Sequence, residues 1–185
     1  MSLPHALLTS LAERPGSGSE LTRRFDRSIG YFWHATHQQI YRELARLEQR
    51  GWVESSPVEQ ARGRKRAYRI LPAGRDELKR WVAQHDDPKP QRDELLIRLR
   101  AEAAVGPTGL VDTVRQRLEQ HRQKLALYRE IEARDFAHDG QTKNRRLQHL
   151  VLQAGIMYER TQADLLQQAL DILALPDERA RPSDA

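Results

Sequence analysis

Cysteine is absent from the 185 residues. Its absence excludes disulfide scaffolds, thiolate metal sites and cysteine nucleophiles, and it points to a reducing compartment, the cytoplasm. Long apolar runs are also missing, and the start Met1-Ser2-Leu3-Pro4-His5 has no basic stretch leading into an apolar one. The expected chain is therefore soluble, untargeted and without a membrane partner. No GxSxG elbow, HExxH helix, GxxxxGK[ST] loop or GxGxxG turn occurs, so no catalytic residue and no cofactor are expected. His34 and His37 stand three apart, but no third ligand lies nearby, and no metal is expected either.

The length suits one or two domains. Net charge is +5 and unevenly distributed: residues 1–86 hold 15 Lys/Arg against 10 Asp/Glu, residues 87–185 hold 16 against 16. A basic half joined to a neutral half suits a polyanion-facing domain followed by a different one, because a positive field attracts phosphate backbones.

Leu3, Leu7, Leu8 and Leu11 lie on one stripe at helical spacing, with Ser2 and Pro4 as cap and first-turn residues and Pro15-Gly16 as the stop. Ser17-Gly18-Ser19-Glu20 has a capping serine three residues before a glutamate and opens a second helix with Leu21 and Phe25 inward. Beyond Tyr31-Phe32-Trp33, aromatics suited to packing or to an effector pocket, a third helix is expected with Thr36 in its first turn and Gly51 at its end. Its buried stripe is Ile40, Leu44 and Leu47. The period then changes. Trp52-Val53-Glu54 and Ala67-Tyr68-Arg69-Ile70-Leu71 read as two strands, with Arg62-Gly63-Arg64-Lys65-Arg66 at the hairpin tip. Pro72-Ala73-Gly74 starts a fourth helix carrying Leu78, Trp81 and Val82, and Asp86-Asp87-Pro88-Lys89-Pro90 reads as a linker.

A short helix with Leu95, Leu96 and Leu99 ends at Gly106-Pro107. A long helix follows, in which Val111, Val114, Leu118, His121, Leu125 and Tyr128 recur at the heptad spacing of helices packed side by side. The last helix, from Lys143 to Ala174, has one stripe of Leu147, Val151, Ala154, Tyr158 and Leu165 and another of Leu166, Leu170 and Leu173. That is more apolar surface than one neighbour covers, and a second copy would bury the surplus. The expected fold is mainly α: a winged helix-turn-helix with a two-stranded wing (1–86), a C-terminal helical dimerisation domain (93–176) and a disordered tail (177–185).

The run Ser28-Ile29-Gly30-Tyr31-Phe32-Trp33-His34-Ala35-Thr36 through Glu48 closely resembles the recognition region of PadR-type transcriptional regulators. The resemblance extends to the Gly63-Arg64 wing, to Ala73-Gly74-Arg75 and, more loosely, to Glu159-Arg160. His34 departs from it where proline is common, and Leu165-Leu166 where tryptophan is. It implies a homodimer that binds a double-stranded DNA operator, a cytoplasmic setting and usually repression.

On the third helix, a rotation of 100° per residue leaves Ala35, Gln38, Arg42, Ala45 and Gln49 opposite the buried stripe. Glutamine pairs with adenine, and arginine with guanine or a phosphate. Thr36, His37, Gln38, Tyr41 and Arg42 are thus the expected reading residues, with Tyr41 open to either a phosphate contact or packing. Arg62, Arg64, Lys65 and Arg66 are the expected phosphate contacts. The resemblance also implies a small aromatic or lipophilic effector. Its expected site is the cleft where the winged domain meets the C-terminal helices, with Trp33, Trp81, His121 and Tyr128 as lining residues, for each of which a structural role is the leading alternative. The rival reading is a protein-interaction adaptor built on a winged helix. RNA is the weaker option, since the aromatics are not placed on an exposed sheet.

Overall fold

Among the described residues, ten buried apolar side chains form the core of the first half of the chain. The computed structural model describes residues 3–26, 35–58, 66–85, 87, 93–137 and 142–176, and the chain divides into two compact units, Met1–Pro88 and Lys89–Ala185. The expected tail, 177–185, and the aromatics Tyr31, Phe32 and Trp33 lie outside the described residues.

In the first unit, α1 (Leu3–Glu13) buries Leu7, Leu8 and Leu11, α2 (Gly18–Asp26) buries Leu21 and Phe25, and α3 (His37–Gln49) buries Ile40, Leu44 and Leu47. These eight side chains have no exposed surface. Burying each is worth about 1.5–3 kcal/mol, so the periodic stripes are what hold the three helices together. Strand residues Val53 and Ile70 close the cluster. Ser17 caps α2 as its spacing predicts: Ser17 N–H donates to Glu20 Oε2 at 2.8 Å, and Glu20 N–H to Ser17 Oγ at 3.3 Å.

The sheet differs from expectation. Strands β2 (Val53–Pro57) and β3 (Arg66–Ile70) form the predicted antiparallel hairpin, but β1 (Gly16–Ser17) adds a third strand, in the order β1-β3-β2. Gly16 and Ser17 pair with Tyr68 and Ala67. A two-residue Gly-Ser segment has no strand signal of its own; only the proximity of β3 recruits it.

Helix α4 (Pro72–Val82) starts at its proline. Gly74 sits against the hairpin so closely that a Cβ there would lie 2.2 Å from the Trp52 carbonyl oxygen. Trp81 stacks on His5 of α1, ring centroids 4.5 Å apart and 7° from parallel, and Leu78 packs on the core. Val82, expected among the apolar positions of this helix, is 70% exposed: at the final residue of α4 it points away from the face by which Trp81 meets α1.

In the second unit, α5 (Glu94–Val105) is capped by Asp93, whose carboxylate accepts from Leu95 N–H at 2.9 Å. It ends at Gly106, and α6 (Leu110–Phe136) begins after Gly109; both glycines have positive φ, 90° and 82°, which a side chain resists. Helix α6 packs along α7 (Lys143–Leu173), with Leu95, Leu110, Val114, Leu118, Ala163, Leu166 and Ala169 as the core. The two stripes of α7 part company. Leu166 is buried and Leu170 and Leu173 pack on it, whereas Leu147, Val151, Tyr158 and Leu165 are exposed together with Leu150 and Met157. Among the described residues, no helix is long and apolar enough to cross a membrane.

Glu77 ties α4 to α1: Arg80 donates to its carboxylate at 2.8 and 2.7 Å, and His5 Nε2 lies 3.1 Å away. The Arg80 hydrogen bonds, then that of His5, hold the Glu77 carboxyl at about 2, against an ordinary value of 4.5. A depressed carboxyl stabilises the fold above its unfolded value and loses that contribution as pH falls. Glu77→Gln is therefore expected to be less stable than the native chain at neutral pH. Urea unfolding across an acid series should show the gap closing as pH falls from 4.5 towards 2.

Candidate nucleic-acid interface

Helix α3 has a defined first residue. Thr36 stands outside α3 as its N-cap, with extended backbone (φ −75°, ψ 156°). Gln39 N–H donates to Thr36 Oγ1 at 3.2 Å, and Thr36 N–H to Gln39 Oε1 at 2.8 Å. This reciprocal cap satisfies two backbone donors and engages Thr36 and Gln39 with the helix end itself. Thr36, expected within the first turn, is one position earlier. His37, Gln38, Tyr41 and Arg42 follow it and are all exposed, as are Ala45 and Gln49 one and two turns further along.

Tyr41 is 46% exposed, yet its ring lies over the start of α2: a Cβ on Gly18 would come within 2.4 Å of Tyr41 Cε1. Glycine at 18 is what lets the ring lie there. The packing option holds for the ring, while its outer half stays accessible beside Gln38 and Arg42. Glu43, on the inner side of α3, is buried and accepts from Arg46 at 3.2 Å.

Of the four hairpin cations, Arg62, Arg64 and Lys65 lie outside the described residues. Arg66 opens β3 and is engaged at its base: Nε donates to Ser55 Oγ at 2.6 Å and the terminal nitrogen to Ser55 C=O at 3.0 Å. Glu48, from the last turn of α3, accepts from both Ser55 N–H and Oγ. Beside it, burial first and the Glu48 charge next push the Tyr68 phenol up from its ordinary value. Sequence reasoning missed Glu48 and Ser55. The only available signal was that Glu48 follows the buried Leu44 by four residues and so faces whatever follows α3 in the chain. Beyond the hairpin base, Arg50 stacks over Trp52 at 5.0 Å.

Of the expected effector-lining residues, Trp81 belongs to the first unit and His121 and Tyr128 to the second. Trp33 is outside the described residues, and Trp81 packs on His5 within the first unit. In the second unit, His121 Nδ1 lies 2.5 Å from Glu159 Oε2, a carboxylate only 3% exposed, with Lys124 Nζ 4.0 Å from its other oxygen. Together with Asp93, Arg117, Tyr158 and Gln162, His121 lines a cavity of about 290 Å³ over Leu166. Tyr128, two turns further along α6, is buried with its ring against Gly155. Among the described residues, no group of three or more His, Asp or Glu is placed to hold a metal ion.

Residues 7–80 match the PadR-like family of transcriptional regulators, and residues 91–174 match the family described as virulence activator alpha C-term. The Mycobacterium tuberculosis protein "Probable transcriptional regulator Rv1176c" is 43% identical over 186 residues, 94% of this chain and 98% of its own. The chain belongs to the PadR-like family of transcriptional regulators.

The negative transcriptional regulator PadR of Bacillus subtilis is 27% identical over 126 residues, 67% of this chain and 69% of its own. Among solved structures, the Vibrio cholerae virulence activator AphA matches with a TM-score of 0.77 at 32% identity, over 93% of this chain and 98% of that one. Bacillus subtilis PadR in complex with operator DNA shares the fold at 23% identity (TM-score 0.77; 94% and 99% covered), and in complex with p-coumaric acid at 24% (0.74; 95% and 100%). This PadR-like chain is thus a regulator and not an enzyme, with the winged-helix fold and C-terminal helices of its family.

Because Thr36 caps α3, Thr36→Ala should lower the unfolding free energy by about 1 kcal/mol, and Thr36→Ser should restore most of it. Urea unfolding measures both. Unchanged stability in the alanine variant would contradict the cap.

Proposed function

We propose that the protein is a homodimeric repressor that binds a pseudo-palindromic operator, with α3 of each copy in the major groove and its hairpin over the flanking phosphates. The observation that carries this reading is the capped, core-anchored α3, which presents Gln38 and Arg42 on one exposed polar face. In the proposed complex Gln38 and Arg42 read base edges. His37 and Tyr41 contact the adjacent backbone, with Thr36 at the helix entry, and Arg62, Arg64 and Lys65 neutralise phosphates, while Arg66, held by Ser55, adds its charge at the hairpin base. The family match, and the sharing of this fold with a PadR solved on its operator, support DNA as the partner. The likeness to the negative transcriptional regulator PadR of Bacillus subtilis supports repression.

The second copy would cover the outer face of α7. Leu147, Val151 and Tyr158 are 51%, 49% and 57% exposed and recur at helical spacing; an apolar stripe of that length on a slender helical hairpin is what a partner buries. A small aromatic or lipophilic effector would release the dimer from DNA, a reading supported by the p-coumaric acid complex of PadR. His121, one of the expected effector set, borders a cavity of about 290 Å³. A tenfold release needs only about 1.4 kcal/mol of differential binding between DNA-compatible and DNA-incompatible dimers. The reducing cytoplasm is the compartment that suits such a protein.

Genomic fragments selected by the purified protein should share a sequence, and gel shifts against random DNA check it; equal affinity for random DNA would favour the adaptor reading. On the selected site, Gln38→Ala and Arg42→Ala should each relax preference at particular base pairs by about 1–3 kcal/mol. Arg64→Ala should weaken binding to every sequence. A second outcome concerns assembly. Sedimentation should give a dimer at micromolar concentration, and Val151→Glu should shift it to monomer while weakening operator binding, since two linked modules bind through their effective concentration.

A further inference from the structure

Every polar backbone and side-chain atom of Ser55 is committed to a side chain. Its N–H donates to Glu48 Oε1 at 3.0 Å, its hydroxyl donates to the same oxygen at 2.6 Å and accepts from Arg66 Nε at 2.6 Å, and its carbonyl accepts from Arg66 at 3.0 Å. The Arg66 guanidinium is also 3.7 Å from Glu48 Oε1, which closes the triangle. Ser55 lies in β2, the edge strand in the order β1-β3-β2, opposite Tyr68 of β3. Because its N–H and C=O are held by side chains, this stretch of edge is capped and is not open to a further strand.

Glu48 belongs to α3, whose rotation is fixed by Ile40, Leu44 and Leu47. The carboxylate therefore joins the helix that reads bases to the hairpin that carries the phosphate-binding cations. We infer that Glu48, acting through Ser55 and Arg66, is a positioning residue that sets the hairpin relative to the reading helix and so keeps both DNA contacts in one register. This inference rests on the DNA-binding reading proposed above.

The sign of one substitution separates this role from simple electrostatics. The Glu48 side chain is 38% exposed on the basic half of the chain, so removing its charge should by Coulomb attraction alone tighten binding to phosphates. Loss of the clamp predicts the opposite. Glu48→Ala removes charge and acceptor together, whereas Glu48→Gln removes the charge but keeps an oxygen for Ser55. Ser55→Ala removes the hydroxyl hub at constant charge.

The experiment measures operator affinity of the full-length variants over a salt series. Glu48→Ala should bind about tenfold more weakly with a shallower salt slope, reduced by about one unit for each phosphate that the displaced hairpin no longer neutralises. The preference for operator over base-pair variants at the Gln38 and Arg42 positions should be retained. Ser55→Ala should shift affinity and slope in the same direction, and it carries the test if Glu48→Ala fails to fold. Glu48→Gln should bind as tightly as the native chain or more tightly. Native-like or tighter binding by both Glu48→Ala and Ser55→Ala overturns the clamp, as does weaker binding with an unchanged salt slope. If the native chain itself shows no operator preference, the DNA-binding reading falls and the clamp's role falls with it.

Discussion

Rotation of α3 about its own axis is the constraint on which the first unit depends. Ile40, Leu44 and Leu47 are without exposed surface. At about 1.5–3 kcal/mol each, they hold the helix face with roughly 5–9 kcal/mol, an upper figure because unfolded chains already bury some of this surface. One base contact is worth about 1–3 kcal/mol. The core therefore outweighs any single contact made from the exposed face, and Gln38 and Arg42 are presented rather than induced. The Thr36–Gln39 cap adds the axial stop, so that helix start and helix rotation are both set before a partner arrives.

The second unit solves a different problem. Two long helices pack over a narrow core of small and medium side chains, and within that seam His121 would be a costly polar group if it had no partner. Glu159 of α7 supplies one, and each of the two would be left unsatisfied if α7 slid along α6. The pair thus acts on register more than on net stability, while Leu118 and Leu166 supply the apolar contact. The outer face of α7, with Leu147, Leu150, Val151, Met157 and Tyr158, stays apolar and exposed.

In both units, polar groups at the rim of the packing meet partners on a neighbouring element. His5 with Glu77, Glu48 with Ser55, and His121 with Glu159 each join two elements that are far apart in the chain or separated by a turn. None of these pairs is visible as a spacing, because the partners are fixed by how elements meet and not by periodicity along one of them.

What the sequence alone determined is everything carried by local period and end chemistry. The stripes of α1, α2 and α3, the serine cap at 17, the proline start of α4, the glycine stop at 106 and the exposed face with Gln38 and Arg42 could all be read there. Helical spacing and capping depend on residues at most four apart. Tertiary structure alone decided that Gly16 and Ser17 form a strand, that Val82 stays in solvent, and that the two stripes of α7 divide into a packed face and an open one. It also decided that Arg66 is bound to Ser55 at the hairpin base and that Glu48 of α3 accepts hydrogen bonds from Ser55 of β2. The physical reason is common to all of these: a strand pairing, a burial or an ion-pair clamp is a property of two surfaces in contact, and a one-dimensional pattern records only one of them.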